Sequence, residues 1–124
     1  MAIYKNRWFK KWAKKAGLKD KSLCKAVKEM RQGNFDADLG GGLFKKRVAR
    51  EGGGKSGGFR TLVATNKADR WFFVFGFEKS ERENIDQHEE KWLKKLAGDL
   101  LTRNTEQIAN MQASGELTEV HCDD

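Results

Sequence analysis

No proline occurs in the 124 residues, so no X–Pro isomerisation slows folding. Cysteine is nearly absent: Cys24 and Cys122 are too few for a disulfide scaffold or a thiolate-built zinc site, and the expected compartment is the reducing cytoplasm. No apolar run approaches the roughly 18–20 residues of a membrane span, which excludes a transmembrane helix. The first fifteen residues hold no apolar stretch and no small-residue cleavage site, which argues against a secretory signal. Histidine is scarce too, with only His88 and His121, so a paired-imidazole acid and base is not expected. What is present is aromatic and charged. Four Trp and eight Phe supply a core, which excludes an intrinsically disordered chain, and the length fits one domain over residues 1–124.

Charge divides the chain. The net charge is +7, but residues 1–60 hold 17 Lys and Arg against 5 Asp and Glu, whereas residues 61–124 hold 8 against 13. A basic half joined to an acidic half points to a polyanionic partner for the first, or to a merely solvated surface.

Periodicity supplies the elements. Ile3 and Tyr4 start a short edge strand. Trp8, Phe9, Trp12, Ala13 and Ala16 recur at helical spacing, with Lys10, Lys11, Lys14 and Lys15 on the other face and Gly17 as terminator. Asp20 is the expected N-cap of a second helix whose Leu23, Ala26, Val27 and Met30 point inward, with Cys24 beside them as a small core residue. The pair forms a helical hairpin. Gly40, Gly41 and Gly42 then break the pattern, and three strands follow over 43–50, 59–66 and 71–77. The third is apolar on both faces, Trp71, Phe73, Phe75 and Phe77 on one and Phe72 and Val74 on the other, which places it inside a sheet covered on both sides. A long helix opens at Asn84 or Ile85 and carries Trp92, Leu93, Leu96, Ala97, Leu100 and Leu101. Thr105 caps a shorter one, and residues 117–120 make a last strand. The class is α+β.

The glycine-rich run at 51–56 resembles a phosphate-binding P-loop, but Ala49 stands where its first glycine belongs and a strand follows where a helix should. It reads better as a hairpin connection presenting Lys55 to a phosphate backbone. Lys45, Lys46, Arg47, Arg50 and Arg60 are denser in positive charge than a strand pair needs. Strand alternation sends Lys45 and Arg47 one way and Lys46 and Arg50 the other, while Arg60 shares a face with Leu62 and Ala64. A second cluster, Lys79, Glu81 and Arg82, follows the apolar strand. His88 lies among glutamates on a solvated helix face, and His121 with Cys122 is a weak metal signal.

Three stretches, Gly57-Gly58-Phe59-Arg60-Thr61-Leu62-Val63, Trp71-Phe72-Phe73-Val74-Phe75-Gly76-Phe77 and Lys79-Ser80-Glu81-Arg82-Glu83-Asn84-Ile85, together resemble the toxins of the RelE/ParE superfamily of type II toxin–antitoxin systems. The string from Asp36 to Arg60 is similar to the RelE-type, phage and HigB-like branch. The resemblance covers residues 1–101, most specifically 36–86. It implies an N-terminal helical hairpin packed on a small, mainly antiparallel twisted sheet, with C-terminal helices following and a site in a basic concave face. It also implies endonucleolytic cleavage of mRNA, typically in the ribosomal A site, without metal or cofactor. The implied partner is a cognate antitoxin in a hetero-oligomeric complex. By position, Lys45 and Arg47 match the basic strand before the loop, Arg60 the arginine of the aromatic-Arg strand, and Lys79 and Arg82 the basic exit segment. Asp86 stands where ribosome-dependent members often carry tyrosine.

Metal-free RNA cleavage needs a base for the 2′-hydroxyl, cations for the phosphorane and an acid for the 5′-oxygen. Crowded cations favour the neutral form of a lysine, so Lys45 or Lys46 is the expected base, with Glu81 a weaker candidate. Arg47 and Arg60 would hold the scissile phosphate through their fork geometry. Lys79 and Arg82 would bind flanking phosphates or act as acid, and Arg50, Lys55, Lys10 and Lys14 would bind RNA backbone. Two other functions fit the same fold: a topoisomerase inhibitor of the ParE kind without nuclease chemistry, and a non-catalytic RNA-binding domain.

Overall fold

The first strand sits inside the sheet rather than at its edge. The structure is a computed structural model that describes residues 1–50 and 57–123. Its strands are β1 (Ala2–Asn6), β2 (Ala37–Gly40), β3 (Leu43–Val48), β4 (Phe59–Thr65), β5 (Arg70–Glu78) and β6 (Leu117–Val120). They form one sheet in the order β2-β3-β4-β5-β1-β6. β1 runs parallel to β5, and the other pairings are antiparallel. Ile3 and Tyr4 therefore face opposite sides, each buried in its own core cluster.

Helices cover both faces. α1 (Arg7–Ala16) and α2 (Asp20–Arg31) pack with Val48, Phe59, Val63, Trp71 and Phe73. On the other face, α3 (Gln87–Thr102) and α4 (Thr105–Ala113) bury Leu93, Ala97, Leu100 and Ile108 against Leu43, Leu62, Ala64, Phe72 and Val74. The expected helical hairpin is present as two consecutive helices, α1 lying chiefly on β5 and α2 on β3. Gly76 lets α1 come close: a Cβ there would lie 2.4 Å from Trp12 Cζ3.

The helix boundaries correct three expectations. Lys19, not Asp20, holds the N-cap position of α2, and the Asp20 carboxylate instead accepts from Lys5 Nζ at 2.8 Å. Asp86 and Glu89 form a capping box at α3, and Asn104 and Gln107 form one at α4. Asp86→Ala should cost about 1 kcal/mol and lower the melting temperature by roughly 3–5 °C in a domain of this size. Calorimetry showing an unchanged transition would mean that the cap contributes nothing.

β5 contains a bulge. Leu62 pairs with Phe75 but Val63 pairs with Phe73, leaving Val74 as the extra residue. The phase of side chains flips there. Phe75 and Phe77 thus join Phe72 and Val74 on the α3 side instead of sharing a face with Trp71 and Phe73, as plain alternation predicted.

Cys24 also differs from expectation. It is half-buried and disulfide-bonded to Cys122, with Cα atoms 5.8 Å apart across a sequence separation of 98. The bond ties the chain's tail to α2 and takes the thiolate that a metal at 121–124 would have used.

Candidate nucleic-acid interface

Alternation in β3 separates two neighbouring lysines. Lys46 points at α2, where Nζ meets Glu29 Oε1 at 2.9 Å and donates to the Asn34 carbonyl at 2.9 Å. It is 2 % exposed, so this candidate base stands in an ion pair beneath α2, on the face opposite to Lys45 and Arg47. Lys45 and Arg47 point the opposite way, Lys45 half-buried and Arg47 exposed with Nε 3.1 Å from Asp36 Oδ1.

Register lines up the rest. Arg47 lies directly opposite Arg60, and Arg60 directly opposite Phe77, so one row crosses β3, β4 and β5. The adjacent row on the same face is Lys45, Leu62 and Phe75. Like charges directly opposite one another in a sheet are destabilising. Arg60 adds to that cost: its Nη1 is buried with no hydrogen-bond partner among the described residues. A buried donor left unpaired costs about 1–3 kcal/mol. Arg47 is held by Asp36 whereas Arg60 keeps a free N–H among the described residues, and a guanidinium fork of this kind matches the geometry of a phosphate.

The chain after β5 folds back onto the same surface. Arg82 Cζ lies 5.0 Å from the Phe77 ring centre and 5.5 Å from that of Phe75, while Nη2 is 2.8 Å from Glu89 Oε2. Trp8, 44 % exposed, stacks on Phe75 with ring centres 4.4 Å apart. Cations interleaved with aromatic rings are the arrangement that holds single-stranded nucleic acid, phosphates on the charges and bases on the rings.

Other expected residues lie elsewhere. On α1, helical geometry sets Lys11 and Lys15 beside Trp8 and Trp12. Lys10 and Lys14 turn toward the side of Arg7, whose Nη2 donates to the Ser114 carbonyl near β6. Arg50 pairs with Glu78 and lies over the Phe59 ring on the α1 side. Lys79 and Glu81 are exposed in the turn after β5, with no ion pair among the described residues for either. Lys55 and the glycine-rich run at 51–56 lie outside the described residues. Trp8 was not expected at this surface, and Lys11 and Lys15 share its face of α1. The sequence signal for them was a tryptophan followed by lysines at i+3 and i+7.

The chain's single tyrosine is not part of this surface. Tyr4 is buried against Phe72, and burial, then Glu119, push its phenol above the usual range. Asp86, where a family tyrosine was expected by position, caps α3 instead.

Residues 1–120 match the family described as RelE toxin of RelE / RelB toxin-antitoxin system. The chain belongs to the RelE family. It is thus a toxin of a toxin–antitoxin system, in a family whose toxins generally inhibit translation, and membership implies a cognate antitoxin. The sheet with helices on both faces is compatible with the RelE fold. No curated protein matches the chain. Among the described residues of this RelE toxin, no helix is long and apolar enough to cross a membrane.

Proposed function

We propose that this RelE toxin is an endoribonuclease that cuts mRNA on the ribosome, in the cytoplasm, until a cognate antitoxin covers its basic face in a hetero-oligomeric complex. The observation that carries the reading is the Arg47–Arg60 pair in register, in which the buried Arg60 Nη1 has no hydrogen-bond partner among the described residues. In this reading the two arginines clamp the scissile phosphate and stabilise the charge that builds on its oxygens. Lys45, next along the same face, moves the proton of the attacking 2′-hydroxyl. Arg82, fixed over Phe75 and Phe77, and Lys79 meet the flanking phosphates or protonate the leaving 5′-oxygen. Trp8 on Phe75 gives the base its stacking surface in place of the tyrosine that Asp86 displaces.

The test is to induce the chain in a bacterium without its neighbouring gene and map new RNA 5′ ends. Breaks at in-frame positions of translated messages support the reading. Growth arrest with intact mRNA would overturn it in favour of topoisomerase inhibition, and RNA binding without new ends would leave only a binding domain. Base stacking on an aromatic ring is worth about 1–3 kcal/mol. Trp8→Ala should therefore slow cleavage by roughly 5- to 150-fold while leaving the fold intact, as Trp8 lies at the surface and outside both core clusters.

A further inference from the structure

A second basic concavity lies on the other face of the sheet, between α2 and the tail. Its volume is about 580 Å³, and its walls are α2, the N-terminus with Ile3, and residues 121–123. That size falls within the roughly 300–1,000 Å³ of small-ligand sites. One stripe of α2 supplies Lys21, Lys25, Lys28 and Arg31, at i, i+4, i+7 and i+10, with Cys24 among them bonded to Cys122. Residues at three- and four-residue spacing share a helix face. None of the four cations has an ion pair among the described residues. Of the two carboxylates in the wall, Asp20 is held by Lys5 and Asp123 remains.

Four unpaired cations converging on one pocket repel each other, and an anion placed between them removes that repulsion. The stripe from Lys21 to Arg31 is about 15 Å long at 1.5 Å per residue, room for several linked phosphates. The described lining holds no Trp, Tyr or Phe, and the one ring that a base could meet there is the His121 imidazole. The floor is instead Ile3 and the disulfide. We propose that this pocket is an oligophosphate site, separate from the RNA-facing surface and independent of the reading of that surface. Its ligand is a compact anion of about three linked phosphates, either free or carried by a nucleoside.

The probe is inorganic tripolyphosphate, titrated into the full chain by calorimetry and by amide chemical shifts. Saturable one-to-one binding is expected, with shifts clustered on α2 and residues 121–123. Charge-assisted hydrogen bonds contribute roughly 1.5–3 kcal/mol each, so Lys25→Ala with Lys28→Ala should weaken binding by at least about tenfold. The control Lys91→Ala with Lys95→Ala makes the same change in net charge on the exposed side of α3 and should leave it within about twofold, as a site held by specific donors rather than by overall charge requires. A nucleoside triphosphate binding more tightly than tripolyphosphate assigns the ligand to a nucleotide, and equal affinity assigns the phosphate chain alone. No saturable binding, equal loss in both double variants, or loss in Arg60→Ala with no effect of the α2 changes would each overturn the proposal.

Discussion

Arg60→Ala should lower the cleavage rate by about 10²–10³-fold, the usual loss when one preorganised donor to a developing oxyanion is removed, and should do so without destabilising the fold. The two halves of this result share one cause. Arg60 stands opposite Arg47 in the ladder, and its buried Nη1 has no partner among the described residues. Both features cost stability in the free protein and are relieved when phosphate binds. Truncation removes them, so the melting temperature should hold or rise by a few degrees, an opposite-position like-charge pair costing up to about 1 kcal/mol. Cleavage in a purified translation mixture and calorimetry on the same samples read both. Arg60→Lys keeps charge but loses the planar fork, and should recover only part of the rate. Lys46→Met should retain cleavage, since that side chain points at Glu29 under α2. A cleavage rate unaffected by Arg60→Ala, or a collapse of stability, would assign the arginine a structural role.

Trp71→Ala is the substitution expected to damage the fold most. Trp71 is fully buried, pairs in register with Ile3 of β1, and packs in the cluster shared by α1, α2 and the sheet. Truncating a buried Trp costs roughly 3–5 kcal/mol, which corresponds to a fall of about 10–20 °C in melting temperature for a chain of this length. Trp71→Phe should be much milder. It removes an indole N–H that has no partner among the described residues, which offsets part of the lost volume. If the alanine variant melts within a few degrees of the parent, β1 is not fixed against β5 in the way described.

The helices were legible because their apolar spacing repeats over three or four turns; α1, α2 and α3 fall within a few residues of expectation. The antiparallel run of β3, β4 and β5 was legible for a similar reason, a turn signal between alternating stretches. What pairs with β1 was not, because Ile3 and Tyr4 carry no mark of a neighbour nearly seventy positions away. The four-residue β2 was too short to show a pattern. The bulge at Val74 has no signature in a run of five aromatics and a valine, so the face of Phe75 and Phe77 was misassigned. The cysteines bear no spacing motif that would announce their bond. At the candidate site, alternation separated Lys45 and Arg47 from Lys46 correctly, but it states only that the faces differ. Which face a helix covers is decided by packing, and that buried Lys46 under α2. Trp8 was assigned to the buried stripe of α1 because a wheel diagram does not show where a helix overhangs the end of a strand.

The place of β1 bears on when the toxin becomes dangerous to the cell that makes it. Residues 2–6 are made well before their two hydrogen-bonding neighbours, β5 and β6, the latter ending at Val120. Pairings between segments this far apart in sequence form late. The polypeptide under synthesis already exposes Lys45, Arg47 and Arg60 while the strand that completes the middle of the sheet still lacks both partners. Assembly of the middle of the sheet is thereby deferred until residues 117–120 have been made and can pair with β1. Arrest peptides that hold the chain with residues 1–110 and with residues 1–124 outside the ribosome would show protease resistance only in the second case.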